Sequence, residues 1–181
     1  AGPAILPPEV FERAAEAVRE LRGNAHAIDG EGIGLSLLEI SHRSADFGAV
    51  HEAATELVHD VLGIPRTHQV LLLQGGASQQ FAMAPLNFAT PGGATAYLDT
   101  GAWSAKAIKE SKIVAAGGGR GHETMVVASS SDSGYDHVPK VGSVDARADY
   151  LHVTSNNTIY GTELESIPEL DTPVLVDASS N

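Results

Sequence analysis

Apolar positions recur along this chain in two rhythms. Over the first sixty residues they fall three and four apart: Val10, Phe11, Ala14, Val18 and Leu21 form one stripe, and Val50, Ala53, Leu57, Val58 and Val61 a second. Side chains at that spacing share one face of a helix, so two amphipathic helices are predicted. Pro7 and Pro8 open the first and Gly23 closes it; Gly63 and Pro65 close the second. From residue 69 onward the pattern changes to short continuous apolar runs: "QVLLL", "ATAYLD", "KIVAAG", "TMVVAS", "YLHVTS" and "PVLVD". Runs of that length bounded by Gly and Pro predict strands covered on both faces. "QQFAMAPLNF" and "WSAKAIKES" between them predict helices, the first kinked or cut short at Pro85. The alternation predicts an α/β chain: a three-layer α/β/α arrangement of a mostly parallel sheet with helices on both faces. In such sheets ligands collect outside the carboxyl ends of the strands.

Composition narrows the partners. With 181 residues the chain is one large domain or the greater part of one. No cysteine is present, which removes disulfides, thiolate nucleophiles and sulfur ligands. A net charge of −12 disfavours nucleic acid, since phosphate-backbone binders gain affinity through clustered Lys and Arg. An anionic ligand must therefore be held by a local cradle against the global field. No run is long enough for a bilayer-spanning helix, and "AGPAILPPEV" lacks the regions of a signal peptide, so a cytoplasmic protein without membrane contact is expected. "HEAAT" lacks the second His of a zinc-protease helix, and no metal is expected.

Candidate chemistry gathers at strand ends. In "LLLQGGASQQF" two glycines turn the chain into a helix whose first N–H groups, with the Ser78 hydroxyl, could cradle a phosphate. It is neither a Walker A loop nor a GxGxxG fingerprint, and taken alone such a turn is more often mere connection. Trp103, the single Trp, opens the helix after "ATAYLD"; its ring could stack on a planar ligand, or anchor that helix to the core. "TSNNTIYG" follows "YLHV" with five polar residues, the usual content of a turn. Asp177 ends "PVLVD", placed either to cap the next element or to hold a protonated ring nitrogen. In "EISHRS", Arg43 with His42 beside it offers a fork for a carboxylate or phosphate, and a surface ion pair is the plain alternative.

Together these stretches resemble the phosphoserine aminotransferases, pyridoxal-5′-phosphate enzymes of fold type I and class V. "AGPAILPPEV", "LEISHRS", "LLLQGGASQQFAMAPLNF", "GAWSAKAIKE", "YLHVTSNNTIYG" and "DASS" follow that family's order over nearly all of the chain. The resemblance implies the large cofactor-binding domain, with residues 1–15 as an N-terminal arm and helix start and residues 16–181 as part of the domain proper. It implies that Ala77 and Ser78 bind the cofactor phosphate, that Trp103 stacks on the ring, that Thr158 bonds the ring hydroxyl and that Asp177 pairs with the ring nitrogen. His42 and Arg43 would receive the distal acid of the substrates, L-glutamate and 3-phosphohydroxypyruvate. The products would be O-phospho-L-serine and 2-oxoglutarate, with 4-phosphohydroxythreonine as the product of a pyridoxine-pathway role. A homodimer is implied as well.

The chain departs from the family pattern in two ways. The Lys that carries the cofactor as a Schiff base lies beyond the Asp in these enzymes, whereas Lys106, Lys109, Lys112 and Lys140 all precede Asp177. Lys106 and Lys109 match the family's ordinary surface pattern. The chain is therefore read as an N-terminal part without the Schiff-base Lys or the small C-terminal domain, inactive by itself. Some relatives also place an Arg where Ser78 stands, so phosphate binding here would lean on backbone donors and the helix dipole. The alternatives are another class V aminotransferase, of alanine–glyoxylate or serine–pyruvate type, and a cofactor-free interaction domain on the same scaffold.

Overall fold

A computed structural model describes residues 5–22, 32–117 and 121–181. The chain divides into two compact units, which meet in sequence between Leu73 and Gln74.

The unit ending at Leu73 holds the two amphipathic helices. α1 spans Pro8–Arg19 with Pro at its first position, and no residue of it is buried. α2 spans Ala45–Leu62 and ends at Gly63; the Ser44 hydroxyl accepts from the Phe47 N–H at its start, satisfying one of the free donors there. Leu21, the last member of the first stripe, lies past the end of α1, where its N–H donates to the Leu35 carbonyl and its carbonyl accepts from Ile33. Arg66 ties the end of α2 to the loop behind it through Glu56 and Asp60. The run from Gln69 to Leu73, expected as a strand, is not one. An extended segment becomes a strand only where a neighbour takes its backbone groups, and among the described residues none pairs with it; Leu71, Leu72 and Leu73 stand exposed.

The second unit carries the sheet. α3 spans Ala77–Phe88, β1 Ala94–Asp99, α4 Ala102–Gly117, β2 Glu123–Ser129, β3 Ala148–Thr154 and β6 Val174–Asp177. A two-residue hairpin, β4 (Asn156–Asn157) with β5 (Thr162–Glu163), follows β3. The large sheet has the order β2-β1-β3-β6, and every pair in it is parallel, as the strand–helix alternation predicts. Two element-level expectations change. α3 runs three residues past Pro85, so that proline does not end it early. "KIVAAG" belongs to α4: Ser104, Ala107, Ile108, Ser111 and Val114 are buried at helical spacing, and small residues at those positions let α4 approach α3 and β1 closely.

Phe81, Ala84, Tyr97, Ala107, Ile108 and Tyr150 form the core between the sheet and these helices. On the other face Ala96, Leu98, Leu151 and Val153 are covered by Val138, Val141, Val144 and Leu164 from the connecting segments. β1 is buried along its whole length, which explains its unbroken apolar run. Each large apolar side chain so buried contributes about 1.5–3 kcal/mol relative to exposure.

Candidate active site

The connection from β1 leads one way across the sheet to β2, whereas that from β3 leads the other way to β6. A crevice opens at the carboxyl ends of neighbouring strands where the winding reverses, and here that place lies between β1 and β3. The candidate residues of this unit converge on it.

The turn after β1 is held from inside. The buried Ser104 hydroxyl accepts from the N–H groups of Thr100 and Gly101, both at 2.9 Å. Asn157, fully buried in the hairpin after β3, accepts the Trp103 N–H through Oδ1 at 3.0 Å and donates from Nδ2 to the Thr100 hydroxyl at 2.8 Å. Gly101 lets these two turns meet, since a Cβ there would stand 2.7 Å from the Asn157 Cγ. The indole N–H of Trp103 then donates to the Thr158 hydroxyl at 3.1 Å. The ring is thus fixed at both its backbone and its far edge.

On the opposite side Gly75, at φ +89°, turns the chain into α3 in a conformation that favours glycine. No side chain caps α3, which leaves the N–H groups of Ala77 and Ser78 free to bind a ligand. A cavity of about 290 Å³ is lined by Gly76, Ala77, Ser78, Phe81, Trp103, Asp177, Ser179 and Ser180. A second, of about 240 Å³, shares Gly76, Ala77, Phe81, Asp177 and Ser179 and adds His152. Each is at the small end of small-molecule sites.

Asp177 stands at the end of β6, opposite Thr154 in the register. Its Oδ1 accepts from the Ser179 N–H at 3.2 Å and the Ser179 hydroxyl at 2.7 Å, so it caps the following turn and still borders both cavities. The two readings of this carboxylate are therefore compatible. Asp99, at the end of β1, has a different fate: Ser104, Ser129 and Tyr135 all donate to it, and the nearby charge, after burial itself, raises the Tyr135 pKa. Asp99 is consumed by structure, and Asp177 is the carboxylate facing open space.

Of the residues singled out in the sequence, Ala77, Ser78, Trp103 and Asp177 line one cavity, and Thr158 is bonded to Trp103. His42 and Arg43 lie in the other unit, exposed in the turn ahead of α2, where the Arg43 N–H donates to the Ser41 hydroxyl. Three residues escaped the sequence reading. Asn157 was one of several polar residues in a turn-like run, with no sign that it alone is buried. Lys106 stood in a helix read as surface, yet its ammonium donates to the Ser78 hydroxyl at 2.7 Å; its place one turn beyond Trp103 was the available signal. His152 interrupts the apolar run of β3 and lies 1% exposed, stacked on Tyr97 at 5.3 Å with its edge toward Phe81 at 5.9 Å. Among the described residues neither of its ring nitrogens has a hydrogen-bond partner, and burial pushes its pKa down to about 4 against a smaller opposing pull from Asp177.

The donor set suits a planar phosphorylated heterocycle: an uncapped helix start for the phosphate, an aromatic face for the ring and a carboxylate for a ring cation. The family model for aminotransferase class V matches residues 1–181. The chain is 48% identical to a phosphoserine aminotransferase of Flavobacterium psychrophilum, over all of this chain and 47% of that one. It is 40% identical to that of Bacillus subtilis, over all of this chain and 46% of the relative. The chain thus spans about half the length of the curated relatives it matches. Among solved structures, phosphoserine aminotransferase from Bacillus circulans subsp. alkalophilus superposes with a TM-score of 0.80 at 40% identity, covering 97% of this chain and 45% of the other. A pyridoxal-phosphate-bound phosphoserine aminotransferase from Trichomonas vaginalis gives 0.81 at 34% identity, covering 100% and 50%.

Proposed function

The chain belongs to the aminotransferase class V family, and from that premise we propose that it is the cofactor-binding part of a phosphoserine aminotransferase. Such an enzyme exchanges an amino group between L-glutamate and 3-phosphohydroxypyruvate, giving 2-oxoglutarate and O-phospho-L-serine. The observation that carries this reading is the single cavity that brings Ala77, Ser78, Trp103 and Asp177 together at the reversal point of the sheet.

Pyridoxal 5′-phosphate, when bound, supplies an electron sink for the pair left at the substrate Cα when its proton departs. The free N–H groups of Ala77 and Ser78 and the α3 dipole would hold the phosphate. The Trp103 indole, locked by Asn157 and Thr158, would stack on the ring without losing conformational freedom on binding. The Thr158 hydroxyl, which already accepts from the indole, keeps its own hydrogen to donate toward the ring hydroxyl. Asp177, with Oδ1 pinned by Ser179, would present its charge to the ring nitrogen and hold a proton there. Arg43, with His42 beside it, would grip the phosphate or γ-carboxylate of the substrate. Residues 1–15 are read as an N-terminal arm and helix start and residues 16–181 as part of one large cofactor domain, in a cytoplasmic homodimer.

Assay of the full-length protein with L-glutamate and each oxo acid tests the reading. Turnover with 3-phosphohydroxypyruvate should exceed that with glyoxylate or pyruvate by at least about 100-fold, because a site built to hydrogen-bond a phosphate discriminates against analogues that lack it. A preference for glyoxylate or pyruvate would transfer the chain to another branch of the family.

A further inference from the structure

Among the described residues the ammonium of Lys106 has no anionic partner. It donates to the neutral Ser78 hydroxyl at 2.7 Å, and among the described residues it enters no salt bridge, although the chain carries twenty-three acidic groups. Ser78 lies in the first turn of α3, whose uncapped start already carries partial positive charge. A cation brought to that end of a helix opposes the dipole, and the pairing is unfavourable unless an anion sits between them. Lys106 is also held in place: it is half-buried, one turn along α4 from Trp103, with its Nζ 5.9 Å from the centre of that ring. Local conflicts of this kind mark sites whose compensating partner is a ligand.

We propose that Lys106 is a phosphate-binding residue, delivering from α4 the full positive charge that α3 and the Ser78 hydroxyl lack. The ligand class is a phosphate monoester carried on a ring that stacks against Trp103, so the inference rests on the functional reading above. The phosphate oxygens would accept from the Ala77 and Ser78 N–H groups, the Ser78 hydroxyl and the Lys106 ammonium. A point charge that also holds Ser78 sets the hydroxyl's direction, and it counters the −12 charge of the chain where the cofactor phosphate must enter.

The test is made on the full-length protein stripped of cofactor, titrated with pyridoxal phosphate and, separately, with unphosphorylated pyridoxal. Lys106→Met should weaken pyridoxal phosphate binding by about 10- to 100-fold, the worth of one charged hydrogen bond. Pyridoxal affinity should change by less than about 2-fold, and the salt dependence of pyridoxal phosphate binding should flatten. Inorganic phosphate should compete with pyridoxal phosphate less well in the variant than in the unmodified protein. Adding Ser78→Arg to Lys106→Met returns a cation to the same spot and should recover most of the lost affinity, whereas Ser78→Ala in its place should not. Equal losses for pyridoxal and pyridoxal phosphate would show a merely structural lysine and overturn the proposal. So would unchanged pyridoxal phosphate affinity in Lys106→Met, although the functional reading would then stand. Failure of the unmodified full-length protein to bind pyridoxal phosphate at all would remove that reading and this one together.

Discussion

The indole N–H of Trp103 and the hydroxyl of Thr158 meet at 3.1 Å across the point where the sheet reverses its winding. One residue follows β1 and the other follows β3, fifty-five positions apart, so the bond joins Asn157's bonds to the Trp103 N–H and the Thr100 hydroxyl in tying the two turns together. Sheet topology opens the crevice, and this bond fixes the ring standing in it.

Separating the ring from its N–H should show which matters more. Trp103→Phe keeps an aromatic face and loses one neutral hydrogen bond, so pyridoxal phosphate should bind the full-length protein about 5-fold more weakly. Trp103→Ala removes the stacking surface as well, and a loss of about 10- to 100-fold is expected. Similar affinities for the two variants would mean that the ring does not stack on the cofactor.

Asn157 holds the same structure together from below. With no exposed surface, it satisfies the Trp103 N–H and the Thr100 hydroxyl at once, and Asn157→Ala leaves both without their partner. The cost should be about 2–4 kcal/mol, arising from stranded polar groups and the space beneath Gly101. A lower urea midpoint with an unchanged slope would record it. A midpoint equal to that of the unmodified protein would place the burden elsewhere in the turn.

Asp177→Asn preserves the shape of the carboxylate and the acceptor for Ser179 but removes the charge. In the full-length enzyme the half-reaction with L-glutamate, followed by rapid mixing, should slow by at least about 100-fold, equivalent to about 3 kcal/mol of electrostatic stabilisation. Cofactor affinity should fall far less. A variant that reacts at the unmodified rate would assign Asp177 to the turn cap alone.

The residues legible in the sequence are those at element ends. Ala77, Ser78, Trp103, Thr158 and Asp177 each follow the end of an apolar run, and for Trp103, Thr158 and Asp177 that run is a strand of the parallel sheet, which gathers such places on one edge. β1, β2, β3 and β6 were readable because their apolar runs are short and closed by turn residues. "KIVAAG" looked the same and is helix, because only contacts with α3 and β1 distinguish a short buried helical stretch from a buried strand. "QVLLL" failed for the reverse reason, since a strand is a relation between two segments and none of the described residues pairs with it. Lys106, Asn157 and His152 act across elements, so their roles depend on distances that no local pattern encodes.

His152 supplies a pH test that needs no cofactor. Its ring is packed between Phe81 and Tyr97, with no hydrogen-bond partner for either nitrogen among the described residues, and burial lowers its pKa from 6.5 to about 4 while Asp177 pulls weakly the other way. The unfolded chain therefore takes up the proton at a higher pH than the folded one. Between these values the unfolded state binds more protons, so stability rises with pH there. The contribution is complete above about pH 6.5 and is lost as the pH falls toward 4, with a total of about 3 kcal/mol. Urea unfolding of the cofactor-free full-length protein should show midpoints that drop through this window. His152→Phe retains an aromatic ring between Phe81 and Tyr97 but cannot take up a proton, so its midpoint should fall less steeply over the same range. If both proteins lose stability in parallel from pH 6.5 to 4, the proton is going elsewhere and His152 is not the group that resists it.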